Sequence, residues 1–368
     1  MQSAAVDQGA PAGDQAPFQK HSGAGRRQDR NAVACETLMR AVKSLPLTDG
    51  GVAAADILSQ VLLIEPAHFE ARLLLEGLRR RQAPRWHFPM LADHARNAAY
   101  RRAIEASVRP GDIVLDIGAG AGLTAMLAAR AGARHVYACE AEPAIAAAAA
   151  ENVRRNGLAD RVTLIPKWSH QLRIGVDLPE RADLVVSEIV NGVLLGEGAA
   201  ETLQHAMAHL VKTDARAIPE AGALRALPIE APTLHSLWRP PATEGFDLSA
   251  FHRFAQMAEL TPNDLAAHEL RALGPAQTLF EFDFTATMGR SARVERSLPV
   301  AASGVAHGVV VAFELRLTAE ERLCNALEAG GHWGRTVYFP PQPRRVTPGD
   351  TVEIVAEHDQ ARLVVTPR

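Results

Sequence analysis

The stretch "DIVLDIGAGAGLTAMLAARAG", residues 112–132, decides the fold, because it joins an apolar strand to an apolar helix through three closely spaced glycines. Gly118, Gly120 and Gly122 let the backbone approach a ligand closely, and the helix that follows presents free N–H groups in its first turn. Leu123 occupies the place of the third glycine in the dinucleotide fingerprint G-x-G-x-x-G. The turn is therefore predicted to bind a different nucleotide-like ligand.

Two acidic residues mark the ends of neighbouring strands beside this turn. Asp116 lies at the end of the first strand, and Glu140 ends the next one, "HVYACE". A carboxylate at the second strand end can accept hydrogen bonds from both ribose hydroxyls. A G-x-G-x-G turn after a strand that ends in aspartate is typical of S-adenosylmethionine (SAM) binding, although similar glycine-rich turns also serve NAD enzymes.

Strands and helices alternate on both sides of the turn, over residues 109–219. Further strands are predicted at "RVTLI" and "ADLVVSE", and a second helix at "AIAAAAAENVRRNG". This order predicts a largely parallel, doubly wound α/β sheet. After Pro219 the pattern changes to short alternating strands such as "LFEFDFTA", "GVVVAFELRL", "GRTVYFP" and "TVEIVAEH", which predict a barrel or sandwich. A helical insertion containing prolines interrupts them at about 238–270.

The N-terminal part of the chain differs from both regions. Residues 1–32 lack apolar periodicity and are predicted to be disordered. Residues 33–82 are predicted to be helical, with Ala54, Leu58 and Val61 on one face of a helix that ends near Pro66. This spacing resembles the second helix of a tetratricopeptide repeat. One degenerate repeat leaves two interpretations open: a cap for the next domain or a peptide-binding module.

Composition excludes several classes of function. A net charge of −3 over 368 residues gives no reason to expect nucleic-acid binding. Three separated cysteines without CxxC spacing argue against a disulfide framework and against a metal site. The N-terminus lacks a signal-peptide core, and no run approaches the roughly 18 apolar residues of a membrane span. We therefore expect a cytoplasmic protein with no membrane partner.

A second motif, "SEIVNGVLLGEG" (residues 187–198), places two glutamates in an otherwise apolar or glycine-containing stretch after a buried strand. We name residues 188–197 the double-glutamate loop. Ionised carboxylates are costly to leave unpaired near a core. Glu188 and Glu197 therefore predict a bound cation.

Together with "RWHFPMLADHARNAAYRRAI" and "GGHWGRTVYF", the glycine turn and the double-glutamate loop resemble, in this order, the protein arginine methyltransferases. The resemblance runs from about Trp86 to Val365, and the wording "WHFPML", "KWS" and "LLGEG" is closest to the branch with tandem modules or N-terminal tetratricopeptide repeats. It implies a Rossmann-like SAM-dependent methyltransferase domain over residues 83–219. A β-barrel domain over residues 220–368 would follow, with a helical dimerisation arm at about 238–270. "GFDLSAF", at residues 245–251, resembles that arm, so a homodimer is expected.

The resemblance also implies roles for individual residues. The expected SAM contacts are Met90, Arg96, Asp116, Gly118, Gly120, Glu140 and Ser169. In particular, Arg96 would pair with the SAM carboxylate and Glu140 with the ribose. The expected catalytic residues are Glu188, Glu197, His332 and Asp93, with Glu188, Glu197 and Trp333 contacting the substrate. Two positions depart from the family pattern: Gly331 replaces a threonine, and His170 replaces a glutamate that contacts adenine in many members.

The implied chemistry answers the question of the bound cation, because a guanidinium stays protonated and its planar fork suits two carboxylates. Gripping two nitrogens leaves the third with more lone-pair character, facing the SAM methyl group, and a His332–Asp93 pair can take the departing proton. Monomethyl- or symmetric dimethylarginine is the expected product, since Gly192 and Gly196 lie between the glutamates. Two alternatives remain open: a methyltransferase of a small guanidine or amine, and an adaptor protein with a degenerate methyltransferase domain.

Overall fold

The computed structural model describes residues 23–287 and 289–368. These residues form two compact units, one ending at Arg79 and one spanning Arg80–Arg368. The helices are α1 (Gly23–Ser44), α2 (Val52–Ile64), α3 (Phe69–Gln82), α4 (His87–Leu91), α5 (His94–Ser107), α6 (Leu123–Ala131), α7 (Pro143–Arg155), α8 (Ala199–His209), α9 (Pro232–Trp238) and α10 (Pro262–Ala267). No helix within the described ranges is both long and apolar enough to cross a membrane.

The strands divide between the α/β and the all-β parts of the second unit. Those of the α/β part are β1 (Ile113–Ile117), β2 (His135–Cys139), β3 (Val162–Ile165), β4 (Ala182–Ser187) and β5 (Val211–Ile218). Those of the all-β part are β6 (Ala221–Glu230), β7 (Met257–Leu260), β8 (Arg271–Ala272), β9 (Gln277–Asp283), β10 (Ala292–Pro299), β11 (Gly304–Ala306), β12 (Gly308–Arg316), β13 (Arg322–Cys324), β14 (Arg335–Tyr338), β15 (Arg344–Val346), β16 (Thr351–His358) and β17 (Leu363–Pro367).

The predicted parallel sheet is confirmed, with strand order β3-β2-β1-β4-β5. All five residues of β1 are buried, as expected for a central strand covered on both faces. The strand order reverses direction between β1 and β4, and Ile117 is paired with Ser187 at their carboxyl ends. Ligands of open α/β sheets bind at such a point. The glycine turn and the double-glutamate loop both begin there.

The predicted change to antiparallel strands after Pro219 is also confirmed. One sheet has the order β7-β14-β12-β6-β8, with β9 paired to β6 and β13 to β12; β10-β16-β17 and β11-β15 form two smaller sheets. The main apolar core runs from the parallel sheet into these strands, and it includes Leu184, Leu194, Phe284 and Phe313. The two parts therefore belong to one compact unit rather than two units divided at Pro219.

The insertion in the all-β part is shorter than predicted. Residues 239–256 leave the sheet and contain a 3-10 helix at Ser249–Phe254, but β7 pairs with β14 along its whole length. Placing the end of the insertion at about residue 270 was wrong, because Met257–Leu260 alternates in burial as a strand does and adds to the sheet edge.

The N-terminal unit is helical, as predicted, and Ala54, Leu58 and Val61 are buried on one face of α2. Its first helix begins at Gly23, so the expected disorder of residues 23–32 was wrong. That expectation rested on missing apolar periodicity, whereas a helix can include residues whose side chains stay exposed, as those of Gln28, Asp29 and Arg30 do. The remainder of the segment predicted to be disordered, residues 1–22, lies outside the described residues.

Candidate active site

A cavity of about 530 Å³ lies at the carboxyl ends of β1, β2 and β4. It brings together most of the residues that the sequence singled out, although they are spread over more than a hundred positions of the chain. The predicted residues that line it are Met90, Arg96, Gly118, Gly120, Glu140, Ser169, Glu188 and Glu197. The predicted residues outside its lining are Asp93, Asp116, His332 and Trp333.

The glycine turn forms the floor of the cavity in a conformation that favours glycine. Gly118 has φ +74° and Gly120 has φ +52°, both in the left-handed region. A Cβ atom on Gly118 would collide with the side chain of Ile189, which belongs to the double-glutamate loop. The turn and this loop are therefore in direct contact at Gly118, where any side chain would keep them apart.

Glu140 faces the cavity from the end of β2, and its carboxylate also organises the turn. One oxygen accepts a hydrogen bond from the Gly120 N–H at 2.9 Å, and the other accepts from the Glu142 N–H at 3.0 Å. Each carboxylate oxygen has a second lone pair. The side chain can therefore accept further hydrogen bonds from a ligand without giving up the turn.

Asp116 lies outside the cavity lining, contrary to the expectation of a direct contact there. Its side chain is buried, and one oxygen accepts a hydrogen bond from the Thr124 hydroxyl at 2.8 Å. The other oxygen has no hydrogen-bond partner within the described part of the chain. Burial raises the pKa of Asp116 to about 7. Its neighbour Ile117 and its partner Thr124 do line the cavity.

Arg96 and Glu188 form an ion pair in the cavity wall, and both side chains are almost fully buried. Burial raises the pKa of Glu188 to about 7, and the attraction of Arg96 opposes that rise. The Arg96 guanidinium also donates to Asn97 Oδ1 at 2.8 Å and lies 5.5 Å from the ring centre of Tyr100. Its Nε has no hydrogen-bond partner among the described residues. The pairing with Glu188 was not predicted.

Glu197 lies on the exposed rim of the same cavity. Protein atoms displace part of the water around its carboxylate and raise its pKa. The loop that carries it is closed by Asn191, whose Oδ1 accepts hydrogen bonds from the Val193 N–H at 3.2 Å and the Gly196 N–H at 3.0 Å. The two glutamates therefore face one cavity from a buried and an open side.

The predicted pairing of His332 with Asp93 is present. His332 Nδ1 and the His332 backbone N–H both lie 3.0 Å from Asp93 Oδ2, while Asp93 Oδ1 accepts from the Arg96 N–H at the start of α5. Burial lowers the pKa of His332 in spite of this carboxylate. Burial raises the pKa of Asp93 as well, but the hydrogen bonds from Arg96 and His332 outweigh it and hold that pKa below its usual value.

The substitution of Gly331 for the usual threonine has a structural reason. Gly331 has φ +107°, which side chains rarely adopt, and a Cβ atom there would lie 2.8 Å from Asp93 Oδ2. The glycine therefore leaves room for the carboxylate that holds His332.

Trp333 lies in the core and not in the cavity lining, so the structure does not bring it to the expected substrate contact. Its Nε1–H donates to the Val190 carbonyl at 3.1 Å, and its ring meets Phe313 edge-on at 5.1 Å. Buried indoles usually need such a partner. The tryptophan therefore attaches the loop at His332 to the double-glutamate loop.

Several cavity-lining residues were not selected from the sequence. They include Trp86, stacked on His87 with ring centres 3.9 Å apart, and Trp168, which is 58% exposed. His170 is exposed and lies outside the lining, near Trp168 at a ring distance of 6.1 Å. A signal was available in the sequence, because Trp86 directly precedes "HFPML" and Trp168 directly precedes the predicted site residue Ser169.

Comparison with known proteins agrees with this geometry. The family model described as ribosomal protein L11 methyltransferase (PrmA) matches residues 93–219. The arginine N(omega)-methyltransferase of Streptomyces achromogenes subsp. streptozoticus is 36% identical over 280 residues, which is 75% of this chain and 76% of that protein. Protein arginine N-methyltransferase 7 of Mus musculus is 30% identical over 308 residues, and the match covers 73% of this chain but only 44% of that protein.

Two solved structures share the fold over 73% of this chain. The PRMT1 enzyme-prozyme heterotetrameric complex of Trypanosoma brucei with AdoHcy has a TM-score of 0.64 at 24% identity, over 73% of this chain and 86% of that one. Protein arginine methyltransferase 10 of Arabidopsis thaliana has a TM-score of 0.62 at 21% identity, with the same coverage. At these identities the likeness concerns the fold.

Proposed function

The chain belongs to the arginine N-methyltransferase family, enzymes that take the methyl group from SAM, and we propose that its substrate is an arginine side chain within a protein. The observation that carries the proposal is the arrangement of Glu188 and Glu197 in one cavity. Glu188 is buried and paired with the Arg96 side chain, whereas Glu197 lies on the open rim. A long arginine side chain can reach Glu188 while its polypeptide stays outside.

The residues around the glycine turn fit SAM. Glu140 presents carboxylate lone pairs to accept the ribose hydroxyls, and Gly118 and Gly120 let the backbone approach the methionine part. Arg96 lines the cavity, and its guanidinium has more N–H groups than the one bonded to Glu188, so it can bind the SAM carboxylate as well. Met90 and Ser169 line the same part of the cavity, and these six residues together are called the SAM wall. Asp116 acts from beneath the surface by accepting the hydrogen bond of Thr124, which lines the cavity.

When bound, SAM supplies an electrophilic methyl group, and the protein positions the nucleophile and removes a proton. Glu188 and Glu197 hold two nitrogens of the guanidinium, so its positive charge concentrates there and the third nitrogen becomes nucleophilic. His332, neutral and hydrogen-bonded to Asp93 through Nδ1, keeps the lone pair of Nε2 to accept the proton. Positioning and electrostatics account for most of the rate enhancement.

A second candidate is methylation of free arginine or of another small guanidine. The Streptomyces relative supports it, because its name, arginine N(omega)-methyltransferase, mentions no protein, and it matches this chain over most of both lengths. The two substrate classes share the guanidinium, so the glutamate pair does not separate them. Access to the cavity separates the two substrate classes, because a free amino acid can enter a closed cavity whereas a polypeptide needs an open rim.

In the experiment, the purified protein is incubated with labelled SAM and one of three acceptors. These are an arginine-containing peptide, the same peptide with lysine at each arginine, and free L-arginine. We expect label in the arginine peptide and none in the lysine peptide, with mass spectrometry placing the methyl group on the guanidinium. Label in free L-arginine alone would identify the small-molecule candidate. SAM binding without transfer to any guanidine would instead support an adaptor with a degenerate site.

The proposed enzyme is a homodimer formed through an aromatic arm, the segment of residues 239–256. Four of its apolar side chains are largely exposed: Phe246, Leu248, Phe251 and Phe254. Contiguous apolar groups of this kind mark association surfaces on soluble proteins. A second copy of the chain is the proposed partner, since one chain carries one arm and one SAM-binding domain.

The N-terminal helices are proposed to recruit substrate proteins. Their exposed apolar residues, Leu63, Phe69 and Leu73, offer a surface beyond the buried core of that unit. Loss of methylation of a protein substrate, but not of a short peptide, in the Leu73→Arg variant would support recruitment. We also propose a cytoplasmic location, in keeping with cysteines that are all free thiols.

A further inference from the structure

Asn325 connects the two loops that carry the proposed catalytic groups. It follows β13 and its side chain is fully buried. Its Oδ1 accepts a hydrogen bond from the Phe313 N–H at 2.6 Å, and its Nδ2 donates to the carbonyls of Gly192 and Gly334, both at 2.8 Å. Only this orientation of the amide serves one donor and two acceptors.

The two carbonyls belong to different parts of the site. Gly192 lies within the double-glutamate loop, and Gly334 lies in the histidine loop, which we define as residues 329–334. A Cβ atom on Gly192 would lie 2.8 Å from the Gly334 carbonyl oxygen, so the two backbones are in direct contact. Both carbonyl oxygens accept from the one Asn325 amide nitrogen, and a buried carbonyl that loses its donor costs free energy.

A second connection runs parallel to the first. Trp333 donates to the Val190 carbonyl, and its ring packs on Phe313, the residue whose N–H donates to Asn325. Strand β12 therefore supports both connections through one residue. The amide of Asn325 donates one hydrogen bond to each loop, and the Trp333 indole donates another directly from the histidine loop to the double-glutamate loop.

We infer that Asn325 is a positioning residue that sets His332 relative to Glu188 and Glu197. The inference rests on the proposed function, because it concerns the distance between the proton acceptor and the groups that hold the guanidinium. The side-chain hydrogen bonds of Asn325 described above go to Phe313, Gly192 and Gly334, and these three residues lie outside the lining of the SAM cavity. Its loss should therefore reduce the rate of transfer and leave SAM affinity unchanged.

The test compares three variants by kcat, by KM for an arginine peptide and by the SAM dissociation constant from calorimetry. Asn325→Asp keeps the acceptor for Phe313 and replaces the shared donor with an oxygen. Asn325→Ser keeps one hydroxyl donor and serves as the milder change if the first variant does not fold. Val310→Ala is the control, since Val310 is buried in the same sheet but in a separate apolar cluster. Rates are normalised to the SAM-binding stoichiometry, which counts folded protein.

We expect kcat to fall by about tenfold to a hundredfold in Asn325→Asp, as for small misplacements of catalytic groups, with a smaller fall in Asn325→Ser. SAM affinity should match the wild type in both variants. Val310→Ala should keep the wild-type kcat even where it loses as much thermal stability as the Asn325 variants. A normalised kcat at the wild-type level in Asn325→Asp or Asn325→Ser would overturn the inference. So would an equal loss of kcat in Val310→Ala. A wild type that methylates no guanidine would overturn the proposed function itself, and this inference with it.

Discussion

Arg96 and Glu188 are joined in a buried ion pair, although 92 residues separate them along the chain. Arg96 belongs to the helix that follows Asp93, and Glu188 opens the double-glutamate loop. The pair therefore joins the wall proposed for SAM to the wall proposed for the guanidinium. One cation that contacts both walls keeps Glu188 closer to its ionised form than burial alone would allow.

Glu188→Gln and Glu197→Gln should each abolish most of the activity. Each change keeps the size of the side chain and removes one charge facing the guanidinium. Losing one partner of a charged pair that substrate binding desolvates costs about 2–5 kcal/mol, or roughly 30-fold to several thousandfold in rate if the loss is felt in the transition state. The measurement is kcat at saturating SAM and peptide, with calorimetry to show that SAM still binds.

Glu201→Gln is the matched control for these variants, since Glu201 is an exposed acid at the start of α8, just beyond the double-glutamate loop. The double variant should lose little beyond the worse single one, because two carboxylates that act as one unit are not additive. Near-normal turnover by Glu188→Gln would contradict the assignment of the glutamates to the substrate.

Glu140→Ala should weaken SAM binding without a direct effect on the guanidinium site. A hydrogen bond to a charged group contributes about 1.5–3 kcal/mol, so the dissociation constant should rise at least about tenfold. Calorimetry measures the dissociation constant, with Glu151→Ala at a partly exposed position of α7 as the control. Equal SAM affinities for the two variants would show that Glu140 serves only the glycine turn.

The rate of the reaction should increase with pH in a range set by Glu188. Its raised pKa of about 7 means that the carboxyl is largely protonated below that pH, and a protonated Glu188 cannot hold the guanidinium. We therefore expect kcat/KM to rise through about pH 7, because this ratio reports groups of the free enzyme. The lowered pKa of His332 places its own titration at lower pH. A pH profile of His332→Gln that keeps the same rise would support Glu188 as its source, and a rise lost with the histidine would assign it to His332.

Sedimentation should detect a dimer at micromolar concentration, and Phe251→Asp or Phe254→Asp should convert it to a monomer. Obligate interfaces bury roughly 2,000 Å² or more and are rich in apolar groups, so a charge at their centre is strongly disfavoured. Val364→Asp, which adds the same charge at an exposed position of β17, is the control. A wild-type monomer would exclude this assembly.

Amino-acid analysis of the product should show monomethyl- or symmetric dimethylarginine. Close contacts leave no room for a side chain at the two glycines between the glutamates: Gly192 lies against the Gly334 carbonyl, and Gly196 lies against the side chain of Asn191. Only Gly196 lines the cavity, so the space available to a second methyl group depends on that side of the loop. Asymmetric dimethylarginine as the main product would refute this expectation.

Much of this architecture was available from the sequence alone, because its causes are local. The glycine turn followed from residue types that tolerate positive φ, and the parallel sheet followed from the alternation of strands and helices. Parallel strands place their carboxyl ends at one edge of the sheet, and there Glu140 and Glu188 line one cavity.

Other features were decided by tertiary structure, because they depend on which backbone segments approach each other. The sequence determined that Arg96, Glu188, Trp333 and Asn325 carry charges, rings and amides, but not their partners. Packing of the all-β part against the parallel sheet placed Trp333 in the core, away from the cavity, and left Asn325 between two carbonyls. A buried polar group must find a partner wherever the fold puts it. That requirement, and no pattern of spacing, paired Arg96 with Glu188 across the site.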